Sequence, residues 1–228
     1  MPSFLPEALS SFASEIDGVI VMIYLIVGVW FVAAEALLIG LIVSSRRKDG
    51  GRAAPTPRES LRTNAIVLAP VALVLCCDLF IEQSGDPVWH HVKVDIPETA
   101  DVLVGITGRQ FEWKFAYPGP DGELRTDDDV VVNGELHVPV NQKVRFELGS
   151  QDVLHSFYVP QLRLKQDAVP GRIIAGWFDT LRTGEFEIAC AEICGEGHTR
   201  MAAKLVVQTE ADFNSWLAAQ GDAVGDAR

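Results

Sequence analysis

The residues best suited to chemistry lie in one short segment of the C-terminal half. Cys190, Cys194, His198 and Met201 follow one another with the spacing C-x3-C-x3-H-x2-M, directly after a predicted strand. The segment brings two thiols, an imidazole and a thioether into one loop. Thiolate and thioether ligands select soft metals, and a Cys and His set with a weak Met is typical of electron-transfer copper. The spacing therefore predicts a copper site.

The second cysteine favours a site with two metal ions. A mononuclear blue-copper loop needs one Cys, whereas Cys190 and Cys194 can bridge two copper ions and share one electron between them. Such a pair needs another imidazole, and His155, 35 residues before Cys190 on a predicted strand, is the best candidate among the five His. Two alternatives are a disulfide between the cysteines and a zinc site, for which Met201 is a poor ligand.

A β domain is predicted around these residues. Short apolar runs with alternating patterning predict strands within 92–96, 101–117, 130–148, 153–159, 173–179, 184–189 and 203–207. Turn signals separate them at 118–122, 133–134 and 170–171, and a helical pattern over 210–219 closes the domain. Many short strands with frequent turns indicate an all-β sandwich over residues 85–228.

Two long apolar segments precede this domain. The first, 19–43, contains Glu35 as its only charged residue, and the second, 65–81, is apolar up to Asp78. Their lengths, about 25 and about 17 residues, suffice to cross roughly 30 Å of hydrocarbon. The first is too long for the apolar part of a cleaved signal peptide. Residues 1–84 are therefore predicted to form an anchor of two antiparallel transmembrane helices in contact with membrane lipid.

Charge predicts the orientation and limits the partners. Six basic residues lie between the spans: Arg46, Arg47, Lys48, Arg52, Arg58 and Arg62. The positive-inside rule places this loop in the cytoplasm, with both termini and the β domain on the outer side of a bacterial inner membrane. From residue 85 onward, 13 Lys and Arg stand against 23 Asp and Glu, which argues against nucleic acid as a partner. Such a surface attracts a basic protein, and it also simply keeps a protein soluble.

The motifs resemble those of subunit II of the cytochrome c oxidases, whose copper centre is called CuA. The likeness spans nearly the whole chain and is carried by 108–113, 152–157, 165–172 and the Cys-rich loop. It implies that the β domain after the two spans is a cupredoxin-like sandwich. It also implies the electron-entry subunit of a respiratory, proton-translocating haem-copper oxidase. Electrons would pass from a cytochrome c-type donor, through a binuclear CuA centre, to haem in subunit I, where oxygen is reduced to water. The sequence has no C-x-x-C-H haem motif, so the donor is an external haem protein.

The resemblance also assigns roles to individual residues. It implies six copper ligands, namely the side chains of His155, Cys190, Cys194, His198 and Met201 and the backbone carbonyl of Glu192. The carboxylate of Glu192 is implied to face a magnesium or manganese ion shared with subunit I.

Electron entry and proton uptake are less closely matched to the family. Where the family usually has a Trp that receives the electron, this sequence has Phe111. The candidates for electron entry are therefore Phe111, Trp113 and Tyr117, or a different docking geometry. Glu59 lies near the family position linked to proton uptake. A carboxylate within the hydrocarbon has a high free-energy cost, so Glu35 is expected to hydrogen-bond to subunit I or to take part in proton transfer.

Two other functions are compatible with the copper loop. One is the equivalent subunit of a copper-containing nitric oxide reductase, which differs in the active site of its partner subunit. The other is a membrane-tethered copper-binding protein without an oxidase, against which the complete ligand set and the two spans argue.

Overall fold

The computed structural model describes residues 5–46 and 61–226. The chain divides into two compact units, Glu15–Val88 on the one hand and Met1–Ser14 with Trp89–Arg228 on the other. Four of the basic loop residues, Arg47, Lys48, Arg52 and Arg58, lie outside the described residues, and so does Glu59.

The first unit is built from two long helices, α1 (Ala13–Ser44) and α2 (Leu61–Trp89). Both are long and apolar enough to cross a membrane, with mean hydropathies of 2.5 and 2.3 in their most apolar windows. The predicted spans 19–43 and 65–81 lie within these helices. Large apolar side chains on both are exposed, as Val29 at 71% and Ile66 at 67% illustrate. A helix that is apolar on all sides requires lipid or protein around it.

The second unit is a β-sandwich of two five-stranded sheets. One sheet has the order β3-β2-β1-β5-β8 and the other β4-β10-β9-β6-β7. The strands are β1 (Val102–Arg109), β2 (Glu112–Tyr117), β3 (Val130–Asn133), β4 (Glu135–Pro139), β5 (Lys143–Ser150), β6 (His155–Val159), β7 (Leu164–Ala168), β8 (Ile174–Asp179), β9 (Gly184–Cys190) and β10 (Ala202–Gln208). The helix α3 (Glu210–Asp226) follows. Strands β1 and β5 run parallel, as do β4 and β10.

The alternating sequence pattern explains the core between the sheets. Along β1 and β5, every second residue is buried, and the fully buried side chains include Ile106, Phe146 and Leu148. Phe157 on β6 meets Phe146 from the opposite sheet at a ring distance of 6.2 Å. Because period-two patterning puts one face of each strand into this layer, the predicted sandwich is confirmed.

One predicted strand is wrong. Residues 92–96 alternate like a strand, but His90–Val94 form a helical turn that continues α2. The Asp95 N–H donates to the His90 carbonyl at 2.8 Å, and Val92 is the buried residue of the turn. Local backbone hydrogen bonds thus satisfy this segment without a neighbouring strand.

The N-terminal residues pack with the sandwich, which the sequence did not lead us to expect. The Leu9 N–H donates to the Gln161 carbonyl and the Leu181 N–H donates to the Leu9 carbonyl, both at 2.8 Å. Phe12 is fully buried, with its ring 5.4 Å from that of Trp177 in an edge-on contact. The segment before α1 therefore belongs to the core of the β unit by its contacts.

Candidate metal centre

The topology of one sheet brings the Cys-rich loop and His155 together. His155 begins β6 and Cys190 ends β9, and these two strands are hydrogen-bonded neighbours. The loop after Cys190 is closed where the Cys190 N–H donates to the Met201 carbonyl at 3.1 Å, just before β10. Strand pairing thus fixes the Cys190 end of the loop against the strand that carries His155, and the Met201 end against Cys190 on β9.

The two cysteines are free thiols. Their Sγ atoms lie 3.8 Å apart, far beyond the roughly 2.05 Å of a disulfide bond. Both side chains are buried, as is that of His155. One ligand atom from each of His155, Cys190 and Cys194 lies within 4.8 Å of the others, a spacing that suits metal binding.

The other predicted ligand positions surround the two sulfurs in two groups. Near the Cys190 Sγ lie the His155 Nδ1 at 3.9 Å and the Glu192 carbonyl oxygen at 3.2 Å. The His198 Nδ1 at 3.6 Å and the Met201 Sδ at 3.7 Å lie near the Cys194 Sγ. The structure therefore brings all six positions together, with one imidazole and one weak donor beside each sulfur.

Asp152 orients the imidazole of His155. Its Oδ1 lies 2.8 Å from the His155 Nε2, and its Oδ2 accepts the Gln110 N–H at 2.8 Å. A carboxylate accepts hydrogen bonds only, so Nε2 carries a proton and Nδ1 is the ring nitrogen that faces the Cys190 sulfur. Burial raises the pKa of Asp152, but the hydrogen bonds from Gln110, His155 and Val153 outweigh it, and the pKa is lowered. Sequence reasoning missed this role, because nothing local marks Asp152 as more than a turn residue.

The thiol of Cys194 holds its proton more tightly than an ordinary cysteine does. Burial, together with the adjacent Cys190 side chain, raises the pKa of Cys194 to about 11. A metal ion must therefore displace a proton to bind the thiolate, which couples metal affinity to pH.

The three predicted electron-entry residues lie in different surroundings. Phe111, in the turn between β1 and β2, is 38% exposed and packs over the Cys-rich loop. Trp113 is fully buried, with its ring edge-on to that of His155 at 6.0 Å. Tyr117 is also buried, and its hydroxyl is paired with the backbone of His137. Because Tyr117 is buried against His137 and α3, a docking protein cannot contact it directly.

The carboxylate of Glu192 is paired with an ammonium group. Its Oε1 lies 3.1 Å from the Lys165 Nζ, which also lies 2.9 Å from the Asp167 Oδ1. Hydrogen bonds from Lys165 and Ser156 hold the pKa of Asp167 below its usual value. The Glu192 side chain is 38% exposed, so a partner or an ion can reach it.

A two-sheet sandwich that gathers thiols, imidazoles and a thioether at one end of neighbouring strands is a cupredoxin-like metal domain. The family model described as cytochrome c oxidase subunit II, periplasmic domain, matches residues 102–209. The alternative cytochrome c oxidase subunit 2 of Bradyrhizobium diazoefficiens is 35% identical over 234 aligned positions, covering 90% of this chain and 80% of that protein. The chain therefore belongs to the cytochrome c oxidase subunit 2 family.

Two further comparisons cover about half of the chain. Cytochrome c oxidase subunit 2 of Thermostichus vulcanus is 41% identical over 116 residues, 51% of this chain and 32% of that protein. The crystal structure of the periplasmic domain of subunit II of cytochrome oxidase from Bradyrhizobium japonicum covers 57% of this chain and 99% of its own, at 32% identity and a TM-score of 0.48.

Family membership confirms the resemblance found in the sequence. The chain is a subunit of an oxidoreductase, which implies further oxidase subunits as partners. The two long apolar helices and the periplasmic domain make it a membrane-anchored protein. Together with the His and Cys cluster, membership implies copper as the metal.

Proposed function

We propose that this chain is the electron-entry subunit of a respiratory haem-copper oxidase. It receives electrons from a cytochrome c-type donor at a binuclear CuA centre and passes them to haem in subunit I, where oxygen is reduced to water. The observation that carries the proposal is the pair of free thiols 3.8 Å apart, each with its own imidazole and weak donor.

The donor set fits a pair of coppers better than one zinc ion. Structural zinc takes four N or S ligands in a tetrahedron, whereas this site offers a thioether and a carbonyl oxygen in addition to its thiols and imidazoles. A pair of coppers held by these residues would supply a centre that can accept and release one electron. The ligands would be His155, Cys190, Cys194, His198, Met201 and the carbonyl of Glu192.

The protein's own contribution is to hold these donors still. Strands β6 and β9 fix His155 and Cys190, and the Asp152 carboxylate fixes the tautomer of His155. Ligands that are already in place need little movement when the charge of the site changes, which favours fast electron transfer.

Electron entry is best assigned to the surface around Phe111. It is the exposed member of the three aromatic candidates, and Trp113 lies buried behind it, against His155. A basic donor would be attracted by the net negative charge of residues 85–228.

We further propose that the Glu192 carboxylate faces a magnesium or manganese ion shared with subunit I. Its partial exposure supports this assignment, and binding of the ion would require the carboxylate to leave Lys165. The two helices within residues 1–84 would form the membrane anchor in the lipid of a bacterial inner membrane, and 85–228, with the segment before α1 packed on it, would form the metal domain. The basic residues between the helices support an arrangement with both termini and the metal domain on the outer side.

The proposal is tested by purifying the complex that contains this full-length chain. We expect copper and haem in the preparation, and oxygen consumption with reduced cytochrome c. Nitric oxide reduction in place of oxygen consumption would point to a nitric oxide reductase. Copper without haem or partner subunits would point to a membrane-tethered copper protein.

The ligand set is tested with His198→Ala. We expect the mixed-valence copper spectrum to be lost, because one copper loses its imidazole, while the far-UV circular dichroism stays unchanged. The matched control is His90→Ala, an exposed histidine outside the Cys-rich loop. An unchanged copper spectrum in His198→Ala would reject this ligand.

A further inference from the structure

The turn between β1 and β2 lies over the metal centre although it belongs to the other sheet. It consists of Gln110 and Phe111, because Arg109 pairs with Glu112 in the register of the hairpin. The predicted ligands all lie on, or next to, the strands of the second sheet. The turn is thus a contact between the two sheets at the predicted site.

Gln110 contacts both chain segments that supply predicted ligands. Its backbone N–H donates to the Asp152 Oδ2 at 2.8 Å, on the side of His155. Its side-chain Nε2 donates to the Cys194 carbonyl at 2.5 Å, on the side of the Cys-rich loop. One residue therefore links the support of the first imidazole to the backbone of the second thiol.

Phe111 shows how closely the turn approaches the loop. A Cβ atom added at Gly197 would overlap the ring of Phe111, and one added at Gly195 would lie 2.8 Å from the Gln110 Nε2. The two glycines allow the contact, since any larger residue would push the turn away from the loop. The Gln110 amide is consequently held within reach of the Cys194 carbonyl.

We propose that Gln110 is a positioning residue for the copper centre, fixing the Cys194 backbone against the segment of Asp152 and His155. This inference rests on the proposed function, because it assigns Gln110 a role toward the copper pair. Gln110 touches neither predicted copper position itself. It acts through the Cys194 carbonyl, which belongs to a residue that would supply a thiolate ligand.

Two substitutions isolate the side-chain hydrogen bond. Gln110→Ala removes it, and Gln110→Glu keeps the size of the side chain but turns an acceptor toward the carbonyl oxygen. Both variants retain the backbone N–H that binds Asp152. The control is Glu112→Gln on the same hairpin, since the Glu112 carboxylate is paired with Arg109 at 3.0 Å, away from the ligand segments.

The experiment measures copper release from the copper-loaded, detergent-solubilised full chain to an excess of a Cu(I) chelator. We expect both Gln110 variants to release copper about tenfold faster or more, as is typical when a group that supports a metal ligand is removed. The hyperfine pattern of the mixed-valence copper should change in both. Glu112→Gln should match the unaltered chain in rate and spectrum.

Thermal unfolding of the copper-free variants separates positioning from general damage. An unchanged melting temperature with faster copper release supports the proposal. If Gln110→Ala does not fold, Gln110→Glu carries the test, because it keeps the volume of the side chain. Release and spectra equal to those of Glu112→Gln would overturn the role of Gln110, while a failure of the unaltered chain to bind copper would overturn the proposed function instead.

Discussion

Replacement of Asp152 by Asn is the most direct test of how the site is held. The Asp152 Oδ1 faces the His155 Nε2 at 2.8 Å and also accepts the Val153 N–H at 2.7 Å, while Oδ2 accepts the Gln110 N–H. All these partners are donors. The amide group of Asn replaces one oxygen by an NH2 donor, so either orientation of Asp152→Asn places a donor against a donor. The substitution keeps the shape of the side chain and still breaks the network.

The expected magnitude follows from the kind of hydrogen bond that is lost. A hydrogen bond to a charged group contributes about 1.5–3 kcal/mol. If the whole of this loss falls on the metal-bound state, it corresponds to copper binding that is about 10- to 150-fold weaker, which is an upper limit because a bond that is also lost from the metal-free chain does not weaken binding. The Asp152 side chain is 28% exposed, so we expect the lower half of that range, because solvent screens the charge.

The assay is competition for Cu(I) between the full chain in detergent and a chelator of known affinity. Asp101→Asn is the matched control, because the Asp101 Oδ2 also accepts a backbone N–H, that of Lys143 at 2.8 Å, but contacts no predicted ligand. Asp101→Asn should leave copper affinity unchanged. The reasoning is refuted if Asp152→Asn binds copper within a factor of two of the unaltered chain.

Three other outcomes are expected. Tyr117→Phe should lower the free energy of unfolding by about 1–3 kcal/mol in chemical denaturation at neutral pH, because it leaves the His137 N–H and carbonyl buried without their hydroxyl partner. Burial raises the pKa of Tyr117 above its ordinary 10.0, so the folded chain keeps the hydroxyl proton at a pH where the unfolded chain loses it. The free energy of unfolding should therefore decrease as pH rises above about 10, and this decrease should be absent in Tyr117→Phe. Phe12→Ala should lower the free energy of unfolding by about 3–5 kcal/mol in the same assay, because it leaves a cavity at a fully buried site beside Trp177. A decrease below about 1 kcal/mol would mean that the N-terminal segment is not part of the core. Copper at 100 times its dissociation constant should stabilise the chain by about 2.7 kcal/mol in thermal unfolding, and chelation should reverse this gain.

The clustering of the predicted ligands could be read from the sequence because most of it is local. Four of the side chains fall within 12 residues, and a loop closed by strand pairing cannot separate them far. His155 is remote in the chain, but a sequence with five His leaves few choices for a second imidazole on a strand. Their roles as copper ligands remain predictions.

The supporting residues could not be found this way. Gln110 meets Asp152 across 42 residues and Cys194 across 84, and both contacts depend on how two sheets stack. Alternation predicts which face of a strand is buried, but it carries no information on which turn covers which loop. The strand predicted at 92–96 failed for a different reason, because the first part of this segment lies in the helical turn His90–Val94, whose backbone bonds are local.

The order already built into the Cys-rich loop explains why residues that never touch metal should govern its affinity. Fixing the backbone of a flexible residue costs about 1–2 kcal/mol, a penalty that metal binding would bear for every loop residue it had to order. Here protein contacts hold the loop, namely the bonds from the Ala191 N–H to the Ser156 carbonyl and from the Gln110 side chain to the Cys194 carbonyl. These contacts form when the sandwich folds, so folding bears part of the cost of ordering the loop. Displacement of the thiol protons, with a Cys194 pKa of about 11, is a further cost that metal binding must offset. If the contacts of Asp152 or Gln110 are weakened, metal binding itself must order part of the loop. We therefore expect weaker copper binding when either residue is substituted.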